Sequence, residues 1–131
     1  MDRLLIVDDN SELLQLYKMM ITTTGHYRIS GAATGGKEAV SRYRAMTKKP
    51  DLVLMDVNMP DMDGISAAKA IHRMDKDANI LFVTADDIYK NDLPPELSDA
   101  GILRKPFSKE EFFRQISKAL GTRKLEKPLK P

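Results

Sequence analysis

The sequence has no cysteine and no tryptophan among its 131 residues. Without cysteine there is no disulfide framework, no thiolate zinc site and no cysteine nucleophile. Long apolar runs are missing too. The longest near the start is Leu4-Leu5-Ile6-Val7, far below the ~18 residues that a membrane-spanning helix needs. No charged n-region, apolar h-region and cleavage pattern opens the chain, so no secretory signal is expected and the cytoplasm is the expected location. What is present is ordinary. With 42% hydrophobic and 31% charged residues, the composition suits a soluble globular domain with one sizeable core.

The formal net charge of +2 is unevenly spread. In residues 121–131, Arg123, Lys124, Lys127 and Lys130 stand against Glu126 alone. Setting these aside leaves 17 basic and 18 acidic residues, a net of −1 for the body. No direct nucleic-acid or membrane binding is therefore expected of the body. The 121–131 segment also carries two prolines and only two apolar side chains. It reads as a disordered end or a linker stub, after a domain of residues 1–120.

Apolar runs alternate with helical patterns along the domain. Arg3–Val7, Tyr27–Ala33, Leu52–Met55, Ile80–Val83 and Gly101–Arg104 read as strands, the second of them weakly. Leu13, Leu14, Tyr17, Met20 and Ile21 recur at helical spacing before Gly25. Ala39, Val40, Tyr43 and Met46 mark a second helix, and Ile65, Ala68, Ile71 and Met74 a third. Asp86 to about Ala100 should hold a fourth, with Pro94-Pro95 in its middle. Ser108 to Leu120 is the clearest helix, with capping-box spacing between Ser108 and Glu111 and Gly121 as its expected stop. Five βα units with continuous apolar strands imply a parallel sheet covered on both faces.

In such a fold the ligand site lies outside the carboxyl ends of the strands. The residues just after the apolar runs are Asp8 and Asp9, Asp56, Thr84 and Lys105. Three carboxylates held together repel one another, and at least one should have a raised pKa unless a cation joins them. All-oxygen ligands favour magnesium, with manganese as the alternative, over zinc. Asp56 ends the central run, where it can serve as metal ligand and nucleophile, since carboxylates do form aspartyl phosphates. The cation, the Lys105 ammonium, the Thr84 hydroxyl and loop amides could neutralise a phosphoryl group there.

The stretches LLIVDDN (4–10), DLVLMDVNMPDMDG (51–64), VTAD (83–86) and LRKPFS (103–108) resemble, in order and spacing, the receiver domain of two-component response regulators. The likeness covers residues 2 to about 120 and is closest to the stand-alone chemotaxis type. It implies a flavodoxin-like three-layer sandwich, with a five-stranded parallel sheet of order 2-1-3-4-5 and five helices. It also implies a magnesium-dependent switch in which Asp56 accepts a phosphoryl group from the phosphohistidine of a sensor histidine kinase or phosphotransfer protein. The signal then passes to a downstream protein target through the face of the fourth helix, fifth strand and fifth helix, with no separate substrate turned over. Position by position, the resemblance places the metal on Asp8, Asp9, Asp56 and the Asn58 backbone carbonyl. The phosphoryl group falls to Thr84, Lys105 and the backbone of Asn58 and Ala85. The Lys105-Pro106 bond is implied to be cis, Asn58 and Asp86 to tune dephosphorylation, and the chain to be a monomer or weak dimer.

The chain departs from that pattern in two places. The switch position three before Lys105, usually aromatic in receivers, is Ile102, which has neither ring nor hydrogen-bonding tip. Pro94-Pro95 should break the fourth helix, because an interior proline costs roughly 3 kcal/mol and pushes the preceding residue out of the helical region. A short helix ending near Asp92 and a second starting at Pro95-Glu96 are expected, with readout through ordering of the loop.

Other readings of the same residues are weaker. Residues 31–37 fit GxxxxGK, but Glu38 stands where a phosphate-binding loop needs Ser or Thr. Asp61-Met62-Asp63-Gly64 suggests a calcium loop, yet Met59 and Ala70 occupy its first and twelfth positions. His26 and His72 lack partners at ligand spacing, and the eight methionines suit an adaptable core. From another class, a haloacid-dehalogenase-type phosphatase shares the Asp, Thr, Lys and magnesium, but needs an acid where Asn58 stands. A phosphorylation-independent receiver-like module is the third reading, and the full set of acceptor-site groups counts against it.

Overall fold

A computed structural model describes residues 1–126. The chain order is β1 (Asp2–Val7), α1 (Ser11–Thr24), β2 (Tyr27–Ala33), α2 (Gly36–Ala45), β3 (Leu52–Asp56), α3 (Gly64–Met74), β4 (Ile80–Thr84), β5 (Gly101–Arg104) and α4 (Lys109–Glu126). The strands form one parallel sheet of order β2-β1-β3-β4-β5. Alternation along the strands splits the core in two. Leu5, Val7, Val53, Met55, Ile80 and Phe82 pack with residues of α2 and α3 on one face. Leu4, Ile6, Leu52, Leu54, Leu81 and Val83 pack with α1 and α4 on the other. Both faces are dry, which is why the strands read as unbroken apolar runs. Among the described residues no helix is long and apolar enough to cross a membrane.

The helix ends follow local chemistry. Asn10 caps α1, its Oδ1 accepting from the Glu12 and Leu13 amides at 3.0 and 3.2 Å, and Gly25 ends it at φ 71°, a left-handed turn that suits glycine. Only half of the expected capping box forms at α4. Ser108 Oγ accepts from the Glu111 amide at 3.0 Å, whereas the Glu111 carboxylate turns to Gln115 and Arg114.

Two expectations are corrected. Among the described residues four α-helices form, not five, because the 85–100 segment holds only two 3₁₀ turns, Lys90–Asp92 and Pro95–Leu97. Leu93 and Pro94, each preceding a proline, sit at ψ 149°, outside the helical region as the steric rule requires. The breaks fall where the prolines place them, but neither piece is long enough to become an α-helix. Leu93, Leu97 and Ala100 still fill the core against α3. Nor does Gly121 end the last helix, which continues to Glu126. An interior glycine costs about 1 kcal/mol relative to alanine and does not by itself stop a helix. Of the expected basic tail, residues 127–131 lie outside the described residues.

Candidate functional site

The ends of β1, β3, β4 and β5 each deliver one part of the site. Asp8 follows β1 and is fully buried; Asp56 closes β3 at 4% exposure, and Thr84 closes β4 fully buried. Asp9, beside Asp8, is exposed. One carboxylate oxygen from each of Asp8, Asp9 and Asp56 lies within 4.8 Å of the others. The three sequence-derived acids thus converge. Such a set of hard oxygens close together, with one member open to water, fits a small divalent cation that keeps several waters.

Lys105, just past β5, reaches across the sheet edge. Its Nζ lies 3.1 Å from Asp8 Oδ2 and 3.5 Å from Asp56 Oδ1. Its amide donates to the Thr84 carbonyl at 2.8 Å, and the Lys105-Pro106 peptide is cis. Asp8 is fully engaged, since its Oδ1 accepts from the Asn10 amide at 2.9 Å. Asp56 differs. No hydrogen bond within the described residues occupies its Oδ2. Burial pushes the Asp56 carboxyl up to about 6, with Asp8 and Asp9 adding to the rise and Lys105 opposing it.

Beneath this cluster Tyr17 stacks on Phe112, with centroids 5.4 Å apart. Its buried hydroxyl has no hydrogen-bond partner among the described residues. Burial raises its pKa, and the Asp8 and Asp56 charges add to the rise.

Loops border the mouth of the site. Thr84 Oγ1 accepts from the Asp86 amide at 3.0 Å, and Asn58 Nδ2 donates to Asp86 Oδ2 at 2.8 Å. Asn58 and Asp86, the two positions that the resemblance implies tune dephosphorylation, are therefore joined across the β3–α3 and β4–β5 connections. Ala85 is exposed beside Thr84. Ile102 lies on β5, partly buried against the α3-side core, and offers no ring to the site.

The discarded motifs have structural explanations. In the GxxxxGK loop, the Gly36 and Lys37 amides both donate at 3.1 Å to Asp61. A side-chain carboxylate already fills the place a phosphate would take at the α2 N-terminus. Those bonds lower the Asp61 pKa. Asp63 caps α3 through Ser66 N and Oγ at 2.8 and 2.9 Å, so the pair does not build a calcium loop. His26 is exposed, and His72 lies on α3; neither is within the acidic cluster.

Sequence reasoning missed Asp61 as the tie between the β3–α3 loop and α2, and no spacing rule would have found it. Its folded pKa is depressed, so its contribution is present above the ordinary carboxylate range and is lost as pH falls through the folded value. Asp61→Ala should lower Tm at pH 7 by ~2–4 °C. It should also speed amide exchange at Gly36 and Lys37, with both differences vanishing in acid.

A model of the response regulator receiver domain matches residues 4–117. Chemotaxis protein CheY of Bacillus subtilis is 33% identical over 121 residues, covering 90% of this chain and 97% of that one. Chemotaxis protein CheY of Treponema pallidum is 31% identical over 121 residues, covering 90% and 82%. Response regulator protein TrrA from Thermotoga maritima, solved in complex with Mg2+ and BeF, superposes with a TM-score of 0.77 at 30% identity, covering 91% of this chain and 99% of that one. With strands ordered 2-1-3-4-5 and the strand-end acids gathered at one edge, the chain belongs to the response regulator receiver domains of two-component signalling.

Proposed function

We propose that the chain is a phosphoacceptor switch that takes a phosphoryl group onto Asp56 from a phosphohistidine and signals to a protein target. The observation that carries this reading is the inequality between the two buried acids. Asp8 has both oxygens engaged, whereas Asp56 has Oδ2 without a hydrogen bond from the described residues, at the end of the central strand and beside an ammonium. In the transfer, Asp56 Oδ2 bonds to phosphorus as the phosphorus–nitrogen bond of the donor breaks. The imidazole nitrogen keeps the electron pair and takes a proton from solvent, leaving an acyl phosphate on Asp56.

Lys105, already within 3.5 Å of Asp56, pairs with the incoming phosphoryl oxygens. Thr84 can donate its hydroxyl proton to one of them while Oγ1 still accepts from Asp86, since a hydroxyl does both at once. The Ala85 amide supplies a further donor. Asp8, Asp9, Asp56 and the Asn58 carbonyl would hold a magnesium ion, or manganese, which when bound neutralises charge on the transferring group. Asn58 and Asp86 border the mouth, where water must enter for dephosphorylation. The altered surface is the 85–100 segment with β5 and α4, and readout follows from whichever of two loop arrangements the phosphoryl group favours.

Phosphoramidate, a small donor with the same phosphorus–nitrogen bond, tests the reading. With magnesium, uptake should stop at one phosphoryl group per chain. Sustained multiple-turnover hydrolysis of a phosphomonoester would instead support the phosphatase class. An amide at Asn58 cannot act as the general acid that class requires.

Metal binding should also stabilise the fold by mass action, by about 2.7 kcal/mol at a hundredfold excess over Kd. Magnesium should therefore raise Tm of the native chain by roughly 6–10 °C and that of Asp9→Ala hardly at all. Equal shifts in both would place the ion elsewhere.

A further inference from the structure

Arg104 ends β5 in register with Thr84 and immediately precedes Lys105. Its side chain holds four consecutive residues of the segment that follows Thr84. Nη1 donates to the Asp86 carbonyl at 2.6 Å and lies 3.4 Å from Asp87 Oδ1, and Nη2 donates to the Ile88 carbonyl at 2.8 Å. The guanidinium sits 4.6 Å from the centre of the Tyr89 ring. Asp87 is 90% exposed, so that ion pair contributes little. The two carbonyl bonds and the stacked ring form the clamp.

What this clamp grips is the arm of the phosphoryl site. Asp86 is a junction: its carbonyl accepts from Arg104, its amide donates to Thr84 Oγ1, and its carboxylate accepts from Asn58. Ala85 lies between Thr84 and that junction. Because the 85–100 segment holds only 3₁₀ turns, no α-helix anchors the loop from its far side. With Ile102 aliphatic, the ring at this end of β5 comes from Tyr89 on the loop itself.

We propose that Arg104 is a positioning residue for phosphoryl transfer. By drawing the carbonyls of Asp86 and Ile88 outward, it fixes the loop so that the Thr84 hydroxyl and the Ala85 amide are arranged before the phosphoryl group arrives. The inference rests on the reading of Asp56 as acceptor. Donors arranged in advance act on the transition state, and misplacing them slows the chemical step while leaving metal binding alone. A planar fork that meets two carbonyls at once is a geometry lysine cannot reproduce.

The test compares the full chain with Arg104→Ala, Arg104→Lys and Asp87→Ala, using acetyl phosphate as donor and saturating magnesium. The maximal labelling rate should fall about tenfold to a hundredfold in Arg104→Ala and nearly as far in Arg104→Lys. Half-saturating acetyl phosphate and magnesium affinity should stay within about twofold, and Asp87→Ala should match the native chain. Amide exchange at residues 86–89, measured without any donor, should quicken in both Arg104 variants. Arg104→Lys keeps the charge and the stem, and so answers the question even where the alanine variant fails to fold. Native labelling rates in the Arg104 variants, full rescue by lysine, or a loss that follows magnesium affinity would overturn the clamp alone. Absence of labelling in the native chain would overturn the acceptor reading and the clamp with it.

Discussion

Asp56→Asn should make the metal-free protein more stable at neutral pH, although it removes the residue on which the function rests. The Asp56 carboxyl is pushed up to about 6 in the fold, chiefly by burial and then by Asp8. The folded chain therefore binds this proton more tightly than the unfolded chain does. Stability is highest below the ordinary carboxylate pKa near 4, falls as pH rises to about 6, and stays lost above that. A rise from the ordinary carboxylate range to about 6 corresponds to roughly 3 kcal/mol, or on the order of 6–10 °C in Tm for a domain of this size. Asparagine carries no charge to penalise. Lys105 is not stranded by the change, because its 3.1 Å bond to Asp8 remains. Melting curves without magnesium should separate the two proteins at pH 7 and bring them together near pH 4. Equal Tm values at pH 7 would mean that neither burial nor the neighbouring acids penalise the Asp56 charge. Adding magnesium should close the gap, since only the native chain has all three carboxylates to offer.

Gly64→Ala should cost more than alanine at any other glycine of the chain. Gly64 opens α3, and its amide donates to the Val57 carbonyl at 2.8 Å. A Cβ there would lie 2.0 Å from the Asp56 backbone oxygen and 2.9 Å from the Val57 Cα. Those are backbone atoms and cannot rotate aside, so α3 must move against the end of β3. Ordinary overpacking costs about 1–3 kcal/mol. A clash against backbone should exceed that, with Tm falling by more than ~10 °C and labelling of Asp56 disturbed as the strand end shifts. Gly121→Ala provides the contrast. Among the described residues nothing lies within 4 Å of its Cβ position, and in mid-helix alanine should raise stability by roughly 0.5–1 kcal/mol. Similar behaviour of the two variants would refute the close packing of α3 on β3.

How far the sequence could be read depended on whether the cause was local. Leu52–Met55 and Ile80–Val83 stood out because both faces of those strands are buried, and α1 carried its cap and stop within a few residues. Asp8, Asp56, Thr84 and Lys105 were legible because a parallel sheet brings its strand ends to one edge. The double proline announced a break at 94–95, but propensity alone could not show that only 3₁₀ turns would survive. Contacts between loops were invisible. Asp61 on the α2 amides, Asn58 on Asp86, and Arg104 on the carbonyls of Asp86 and Ile88 join residues 16 to 28 positions apart. No periodicity records such pairings. Gly64 stood at the end of the 51–64 stretch and in a failed calcium motif, but neither showed its need for a bare Cα, which arises from the backbone of Asp56.

If one carboxylate, Asp56, takes the phosphoryl group, mapping the adduct will find it there alone. The protein is incubated with phosphoramidate and magnesium, the acyl phosphate is reduced with borohydride, and the chain is digested and sequenced by mass spectrometry. A reduced side chain, converted from aspartate to homoserine, should appear at position 56 and nowhere else, and should be absent from Asp56→Asn and from samples without magnesium. Homoserine at position 8 or 9, or undiminished labelling of Asp56→Asn, would contradict the account.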